Sequence, residues 1–262
     1  MRVHLGRIIV FPIKAMDGIE VEAARVTSGG ILENDRVYAL FDAQGKYVNG
    51  KREARVHRLR CRFDADLREV VFAEAESGRQ IRGALAELEP LSRGLSDYFG
   101  YPVELKREAE HGFPDDREAF GPTVVSEPSQ REVAGWFPDL ALVGARRRFR
   151  ANLELEGEGL PPFWEDHLFG EPGVLKPFQI GEVRFMGHNP CQRCVVPTRD
   201  PDTADAISGF QKDFAERRRQ TLPPWANSVR FNHYYRFAVN TSVPPTEAGK
   251  VLRSGDAVEL AG

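Results

Sequence analysis

The sequence has few cysteines and no long apolar segment, and these absences exclude secreted disulfide-rich domains and membrane-spanning proteins. Two of its three cysteines lie in one short stretch, which is not the framework of a small secreted domain. No run of apolar residues approaches the roughly 18 that a membrane-spanning helix needs. Residues 1–7 are interrupted by charge, unlike the apolar region of a signal peptide. We therefore expect a cytoplasmic protein with no membrane partner.

The chain also lacks a strong excess of charge of either sign. It has 36 lysines and arginines against 39 aspartates and glutamates, which gives a net charge of −3. This balance creates no overall field that would attract nucleic acid or an anionic membrane. With 41% hydrophobic and 29% charged residues, the composition is that of a folded protein and not of a disordered chain. Its 262 residues allow one large domain or two modest ones.

The first 72 residues consist mostly of short strand-like segments separated by turns. The segments are residues 8–11, 19–26, 37–41, 46–48, 59–63 and 70–72. Between them lie stretches such as Ser28-Gly29-Gly30 and Asp42-Ala43-Gln44-Gly45, whose residues tolerate tight or left-handed backbone. This spacing predicts an all-β sheet or barrel.

Helical patterns are fewer than strand patterns. Apolar and aromatic side chains at helical spacing over residues 91–99 predict a helix that stops at Gly100. Ser129-Gln130-Arg131-Glu132 matches a capping box and predicts the start of a second helix. Phe210 and Phe214 predict a third, short helix. We therefore expect a chain that is mainly β with a few helices (α+β).

Residues 188–203, called the cysteine segment below, bring together Cys191, Arg193 and Cys194. An alternating pattern over residues 180–185 predicts a half-buried strand that leads into it, and another strand is expected to begin at Phe231. Two sulfurs three residues apart can form a redox disulfide, contribute half of a metal site, or provide one soft ligand beside a spectator thiol.

The flanking residues help to choose among these chemistries. A thioredoxin-type dithiol needs a helix directly behind the cysteines to lower the thiol pKa, whereas Cys194-Val195-Val196 is β-prone. His188 has metal-ligand spacing to the two cysteines, but a structural zinc needs four ligands and no second pair lies nearby. Two inert buried thiols remain an alternative, because free cysteine is among the most buried residue types.

Two parts of the cysteine segment carry a resemblance to a known family: Pro190-Cys191-Gln192-Arg193-Cys194 and Thr198-Arg199-Asp200-Pro201-Asp202-Thr203. They resemble the cysteine loop of MOSC-domain proteins, named after the C-terminal domain of molybdenum cofactor sulfurases, and most of all the branch of the amidoxime-reducing component. The resemblance implies that Cys194 is the molybdenum ligand and the catalytic residue, a role that suits a soft thiolate. It also places Gln192 and Arg193 at the cofactor.

Four other segments resemble parts of the same family and imply contacts to the pterin and phosphate of the cofactor. They are Phe11-Pro12-Ile13-Lys14, Asp35-Arg36-Val37-Tyr38, Phe149-Arg150-Ala151-Asn152 and Phe231-Asn232-His233-Tyr234-Tyr235. The implied contact residues are Lys14, Arg36, Arg150, Asn152 and Tyr234. Cations suit a phosphate because they supply both charge and hydrogen-bond donors. Alanine stands at positions 15, 151 and 204, where the family usually has serine, proline and glycine.

The most basic run of the chain is Arg146-Arg147-Arg148-Phe149-Arg150. Clustered arginines can contact the phosphates of nucleic acid. This run is short, contains a single aromatic residue and belongs to an acidic chain, so we expect no nucleic-acid partner. Residues 146–148 are expected to form a solvated face.

The resemblance covers nearly the whole chain and implies two domains with a cofactor between them. A β-barrel-like domain is expected over residues 1–110 and a MOSC-type β-barrel domain over residues 111–262. The implied cofactor is molybdenum–molybdopterin. The implied activity is that of a molybdenum-dependent oxidoreductase, which reduces N-hydroxylated or other N- or S-oxygenated small molecules by oxygen-atom transfer. No glycine-rich dinucleotide motif is present, so electrons must come from a separate reductase or a ferredoxin-like protein.

Two alternatives to this activity stay open. The protein can be a carrier that holds the cofactor, or a sulfur atom on Cys194, without turnover of its own. It can also be a degenerate domain that binds an anionic ligand but no metal.

Overall fold

A computed structural model describes residues 2–74, 76–116 and 118–261 and shows a mainly β chain with a few helices, which confirms the predicted fold class. The described strands are β1 (His4–Val10), β2 (Ile19–Val21), β3 (Ala23–Arg25), β4 (Tyr38–Asp42), β5 (Leu59–Phe63), β6 (Glu69–Glu74), β7 (Gln80–Ala84), β8 (Val103–Arg107), β9 (Val124–Ser126), β10 (Leu153–Glu156), β11 (Lys176–Ile180), β12 (Val183–Gln192), β13 (Arg236–Ser242), β14 (Val251–Arg253) and β15 (Val258–Leu260). The α-helices are α1 (Leu88–Phe99), α2 (Glu127–Gly135), α3 (Leu142–Phe149) and α4 (Phe210–Gln220). Among the described residues, no helix combines the length and apolar character required to cross a bilayer.

The largest sheet joins strands from both ends of the chain. Its eight strands follow the order β15-β11-β12-β13-β9-β10-β1-β2. Strand β1 pairs antiparallel with β10, with Ile8 opposite Leu153. Smaller sheets are formed by β3 with β14, by β4 with β8, and by β5, β6 and β7. The predicted division between residues 110 and 111 stays a prediction, and the first strands pair with strands of the second half.

Three apolar clusters hold these sheets and helices together. The first extends through the large sheet and contains the fully buried Ile8 and Phe185. The second contains Phe72 and packs α1 against the smaller sheets of the first half. The third surrounds α2, α3 and α4. Each fully buried aliphatic or aromatic side chain contributes on the order of 2 kcal/mol to this packing.

Two predicted helices are confirmed. Helix α1 ends where Gly100 adopts a φ of +72°, and the N–H of Gly100 donates to the carbonyl of Ser96 at 2.8 Å. Glycine adopts this left-handed conformation without the steric cost of a Cβ atom. Helix α4 begins at Phe210, and its Phe210 and Phe214 side chains are buried in the third cluster, as their spacing predicts.

Three local predictions are wrong. Helix α2 begins before the predicted capping box, so Ser129 lies inside it and its hydroxyl donates to Glu165 at 2.7 Å. Strand β13 begins at Arg236 and not at Phe231. The residues after Cys194 form a short 3-10 helix, Val196–Thr198, and not a strand. Proline at position 197 favours this turn, because its fixed φ suits the first helical positions and it has no N–H to donate to a sheet.

Candidate functional site

A cleft of about 550 Å³ is lined by residues of both halves of the chain. Eleven lysines and arginines but only four aspartates are among the described residues that line it. The whole chain carries a net charge of −3, so positive charge is concentrated at this place. A concave surface with one sign of charge attracts ligands of the opposite sign. The cleft is therefore built to receive an anion.

The cysteine segment forms one wall of the cleft. Cys191 lies near the end of β12 and Cys194 follows it, and both thiols are half-buried. Arg193 lies between them: its Nη1 donates to Cys191 Sγ at 3.2 Å, and its Nη2 donates to the carbonyl of Phe149 at 2.6 Å. The Nε of Arg193 is buried and has no partner among the described residues. Gln192 is exposed at the same wall.

Arginines of helix α3 hold the cysteine segment in place. Arg147 donates from both terminal nitrogens to Asp202, at 2.6 and 2.7 Å. Arg148 is buried and donates to Asp200 and to the carbonyl of Pro197, each at 3.2 Å. The hydrogen bond from Arg147 lowers the pKa of Asp202, which therefore stays ionised. The expectation of a solvated face over residues 146–148 is wrong, because Arg146 also pairs with a carboxylate, that of Glu154, so all three cations are neutralised.

Ala204 closes the turn that follows these aspartates. Its N–H donates to the carbonyl of Asp200 at 3.0 Å, and its φ is +70°. This left-handed conformation favours glycine and strains a residue with a Cβ atom. The conformation gives a physical reason for the glycine that the resembling family usually has here.

A second group of cations lines the cleft from the first half of the chain. Lys14 is buried, and its Nζ donates to Asp115 Oδ1 at 2.5 Å and to the carbonyl of Phe113 at 2.9 Å. Burial lowers the pKa of Lys14. Partial desolvation at the cleft raises the pKa of Asp115, whose side chain is still largely exposed, but the charges of Lys14 and Arg36 outweigh it and hold that pKa well below its ordinary value. Asp115 is thus an anion of the protein itself that neutralises cations of the cleft.

Arg150 is a cation without a counter-ion. It follows α3 with a φ of +53°, and its guanidinium lies 4.4 Å from the centre of the Phe11 ring. No carboxylate forms an ion pair with it in the part of the chain that the structure describes. Burial and the neighbouring Arg36 lower the pKa of Arg150, but a guanidinium stays charged at neutral pH. An anionic ligand would supply the missing charge.

Asn152 supports this group and does not offer free donors to the cleft. Its Nδ2 donates to Asp35 at 2.9 Å and to the carbonyl of Ile9 at 3.0 Å. Its Oδ1 accepts from Arg36 Nη1 at 3.1 Å. Asn152 therefore fixes the position of the Arg36 guanidinium.

The structure brings together most of the residues that the sequence singles out. Of the eight, seven line the cleft: Lys14, Arg36, Arg150, Asn152, Gln192, Arg193 and Cys194. Tyr234 does not, because its ring stacks on Phe231 with centroids 5.8 Å apart and packs against the first apolar cluster. Three residues that the sequence did not indicate also line the cleft: Asp115, Arg230 and Arg236. No motif marks them, since they meet the site only through the fold.

The described residues do not form a metal site from protein ligands alone. The described residues contain no group of three or more histidine, cysteine, aspartate or glutamate side chains arranged to hold a metal. His188 instead contacts Ser242, with 2.8 Å between its Nε2 and the hydroxyl oxygen. A metal bound at Cys194 would need further ligands from a cofactor.

Two models of known protein families match the chain. The family model "MOSC N-terminal beta barrel domain" matches residues 2–96, and the model "MOSC domain" matches residues 119–259. The chain belongs to the MOSC-domain family. This MOSC protein is 22% identical over 251 residues to a molybdenum cofactor sulfurase of Drosophila grimshawi. The match covers 80% of the chain but 31% of the sulfurase, so the chain spans about a third of the length of that relative.

A solved structure described as "Crystal structure of an hypothetical protein" is 14% identical to this MOSC protein, with a TM-score of 0.41. The match covers 100% of this chain and 69% of the other chain.

MOSC domains are associated with the molybdenum cofactor, and the residues of this cleft fit such a group. Arg150 lacks a counter-ion, and the buried Nε of Arg193 lacks an acceptor among the described residues, so both suit the anionic pterin phosphate. The half-buried thiol of Cys194 suits a soft metal.

Proposed function

We propose that this MOSC protein binds the molybdenum cofactor in the cleft, with the Cys194 thiolate as the protein's metal ligand. One observation carries the proposal: a half-buried thiol and the uncompensated cation Arg150 line the same cavity. Lys14, Arg36 and Arg150 would hold the phosphate and pterin. Arg193 would link the thiol side of the cleft to the side of the phosphate-binding cations, because it contacts both the cysteine segment and the end of α3.

We infer that the protein is an oxidoreductase for N-hydroxylated small molecules such as amidoximes. When bound, the cofactor supplies two-electron oxygen-atom transfer. The overall reaction converts an N–OH group, two electrons and two protons into N–H and water. The electrons would come from a separate reductase or a ferredoxin-like protein. The protein's own part is to orient substrate and cofactor, and Arg193 keeps Cys191 beside the site through its contact to the sulfur.

The proposal is tested by the molybdenum and pterin content of the purified protein, expressed where the cofactor is made. Wild type is compared with Cys194→Ser, Cys191→Ser and the control Cys61→Ala. Cys61 is a buried cysteine that does not line the cleft. Near-stoichiometric molybdenum that is lost only in Cys194→Ser would support the assignment. Wild-type protein without pterin and metal would refute it.

A carrier function is the second candidate, and the name of the curated relative favours it. That relative is a molybdenum cofactor sulfurase. A carrier would hold the cofactor, or a sulfur atom on Cys194, and pass it on. Turnover of benzamidoxime with dithionite-reduced methyl viologen as the electron donor separates the two functions. A cofactor-loaded protein without turnover would be a carrier.

A further inference from the structure

Two arginines line the end of the cysteine strand, outside the cation group that suits the cofactor phosphate. Arg230 Nη2 donates to the carbonyl of His188 at 2.8 Å, and Arg236 Nη1 donates to the carbonyl of Pro190 at 3.0 Å. Both acceptors belong to β12 and lie within three residues before Cys191. Arg230 and Arg236, called the arginine pair below, therefore contact the end of β12, which contains Cys191 and precedes Cys194.

No carboxylate of the described residues neutralises the charge of the arginine pair. Within the described ranges, neither guanidinium forms an ion pair; their remaining partners are the carbonyl of Glu171 for Arg230 and the side-chain oxygen of Asn232 for Arg236. Burial, and then the charge of Arg230, lowers the pKa of Arg236. The Nε of Arg236 is buried, again without a partner among the described residues. Two like charges that act on each other, with no carboxylate partner among the described residues, indicate an anion that is yet to be supplied.

Acidic groups of the facing loop do not supply this anion. Asp116 lines the cleft, and the charges of Asp116 and Glu118 act on His188, whose carbonyl accepts from Arg230. Asp116 instead accepts hydrogen bonds from the backbone N–H groups of Glu118 and Ala119. The Asp116 carboxylate thus stabilises the turn that it belongs to.

The arginine pair lies on the thiol side of the cleft. In the pairing of β12 with β13, Arg236 stands opposite Gln192, two residues before Cys194. The neutral amides of Asn189 and Asn240 line the same wall and contact each other at 3.3 Å. Lys14 and Arg36, the cations proposed to hold the cofactor phosphate, belong instead to the first half of the chain. Each of them has an aspartate partner. The cleft therefore has two places for an anion.

We propose that the arginine pair is a substrate subsite that recognises a carboxylate. This inference rests on the proposed function, in which an N-hydroxylated substrate reacts next to Cys194. Planar guanidiniums suit a carboxylate because they donate paired hydrogen bonds in a fixed geometry. The carboxylate is not altered in the reaction; it anchors the substrate while the N–OH group points to the metal. The protein thus prefers N-hydroxylated compounds that bear an acidic group.

The test uses the cofactor-loaded protein and two substrates that differ only in the carboxylate: benzamidoxime and 4-carboxybenzamidoxime. Dithionite-reduced methyl viologen supplies the electrons. We expect wild type to show at least about a tenfold higher kcat/KM for the carboxylated compound, the effect of one charge-assisted hydrogen bond. Arg236→Gln and Arg230→Gln should each remove most of this preference, because the KM for 4-carboxybenzamidoxime should rise more than the KM for benzamidoxime.

Arg236→Lys and Arg253→Gln are the matched variants. Lysine keeps the positive charge but lacks the paired donors of a guanidinium, so Arg236→Lys should retain part of the preference for the carboxylated compound. Arg253 is an exposed arginine of β14 that does not line the cleft, and its variant should behave as wild type. Equal kcat/KM for both compounds in wild type would overturn the proposal, and this result needs no variant. A preference that persists in both glutamine variants would also overturn it.

A binding measurement separates this proposal from the proposed function. The two compounds are titrated into the oxidised, cofactor-loaded protein by isothermal titration calorimetry. Tighter binding of 4-carboxybenzamidoxime that is lost in Arg236→Gln supports the subsite even when no turnover occurs, and absent turnover then counts against the reductase function alone. Equal affinity for both compounds refutes the subsite.

Discussion

Replacing Asp115 by asparagine should make the cleft bind anions more tightly. Asp115 Oδ1 accepts from Lys14 Nζ at 2.5 Å, so its carboxylate occupies the place where an anionic ligand would meet this lysine. The side chain of Lys14 is 6% exposed and that of Asp115 is 67% exposed, so the lysine is buried and the aspartate is accessible to solvent. A ligand phosphate must displace the carboxylate before it contacts Lys14.

The magnitude follows from the exposure of Asp115. An ion pair with one solvent-exposed partner contributes up to about 1 kcal/mol. Removing this competition should therefore lower the Kd of an anion by about fivefold. The pKa of Asp115 is held well below its ordinary value, so the carboxylate is ionised throughout the neutral range and the effect should not change between pH 6 and 8. Added salt should reduce it.

The assay is isothermal titration calorimetry of inorganic pyrophosphate into cofactor-free protein. Asp116→Asn is the matched control, because it removes the same charge one residue further along the loop and Asp116 does not contact Lys14. Asparagine at position 116 can still accept the local backbone hydrogen bonds. Equal affinity in wild type and Asp115→Asn, or an equal gain in Asp116→Asn, would show that Asp115 does not compete for the site.

Three further substitutions test the stability of the fold by urea unfolding. Burial, followed by the charge of Asp166, raises the pKa of Glu165 from 4.5 to about 7, so the folded state binds a proton that the unfolded state releases. The free energy of unfolding of wild type should therefore fall as the pH rises from 4.5 to 7. At pH 8 the free energy of unfolding of Glu165→Gln should exceed that of wild type by on the order of 3 kcal/mol, but not at pH 4.5. A difference that is the same at both pH values would contradict this. Ala204→Gly should add up to about 1 kcal/mol by removing left-handed strain, and a loss of stability would be the contrary result. Gly187→Ala should cost about 3 kcal/mol or more, because its Cβ would lie 1.7 Å from the carbonyl oxygen of Leu168; wild-type stability would refute that contact.

Features that depend on neighbouring residues were predictable from the sequence. The stop of α1 at Gly100 follows from helical spacing and one glycine. The start of α2 was not predictable in this way. The Ser129 hydroxyl donates a hydrogen bond to Glu165, which lies 36 residues away, and no local pattern shows this contact. The short helix after Cys194 shows that Pro197 outweighs the β-propensity of its valine neighbours.

The candidate site was predictable where resemblance marked its residues and not elsewhere. Lys14 and Cys194 lie in recognisable segments and both line the cleft. Asp115 lies in a charged loop and meets Lys14 across 101 residues of chain. Arg236 is placed by its strand register opposite Gln192. Tyr234 resembles a cofactor contact, but the packing of its ring against Phe231 turns it toward the core.

The pairing of β1 and β3 with late strands affects how the protein is made. Strand β1 pairs with β10, and β3 pairs with β14, so during synthesis these two strands wait for partners that are made much later. Such long-range pairing slows folding, because the connecting chain must close a large loop first. During synthesis the apolar face of β1, with Leu5 and Ile8, stays uncovered and open to chaperones or to aggregation.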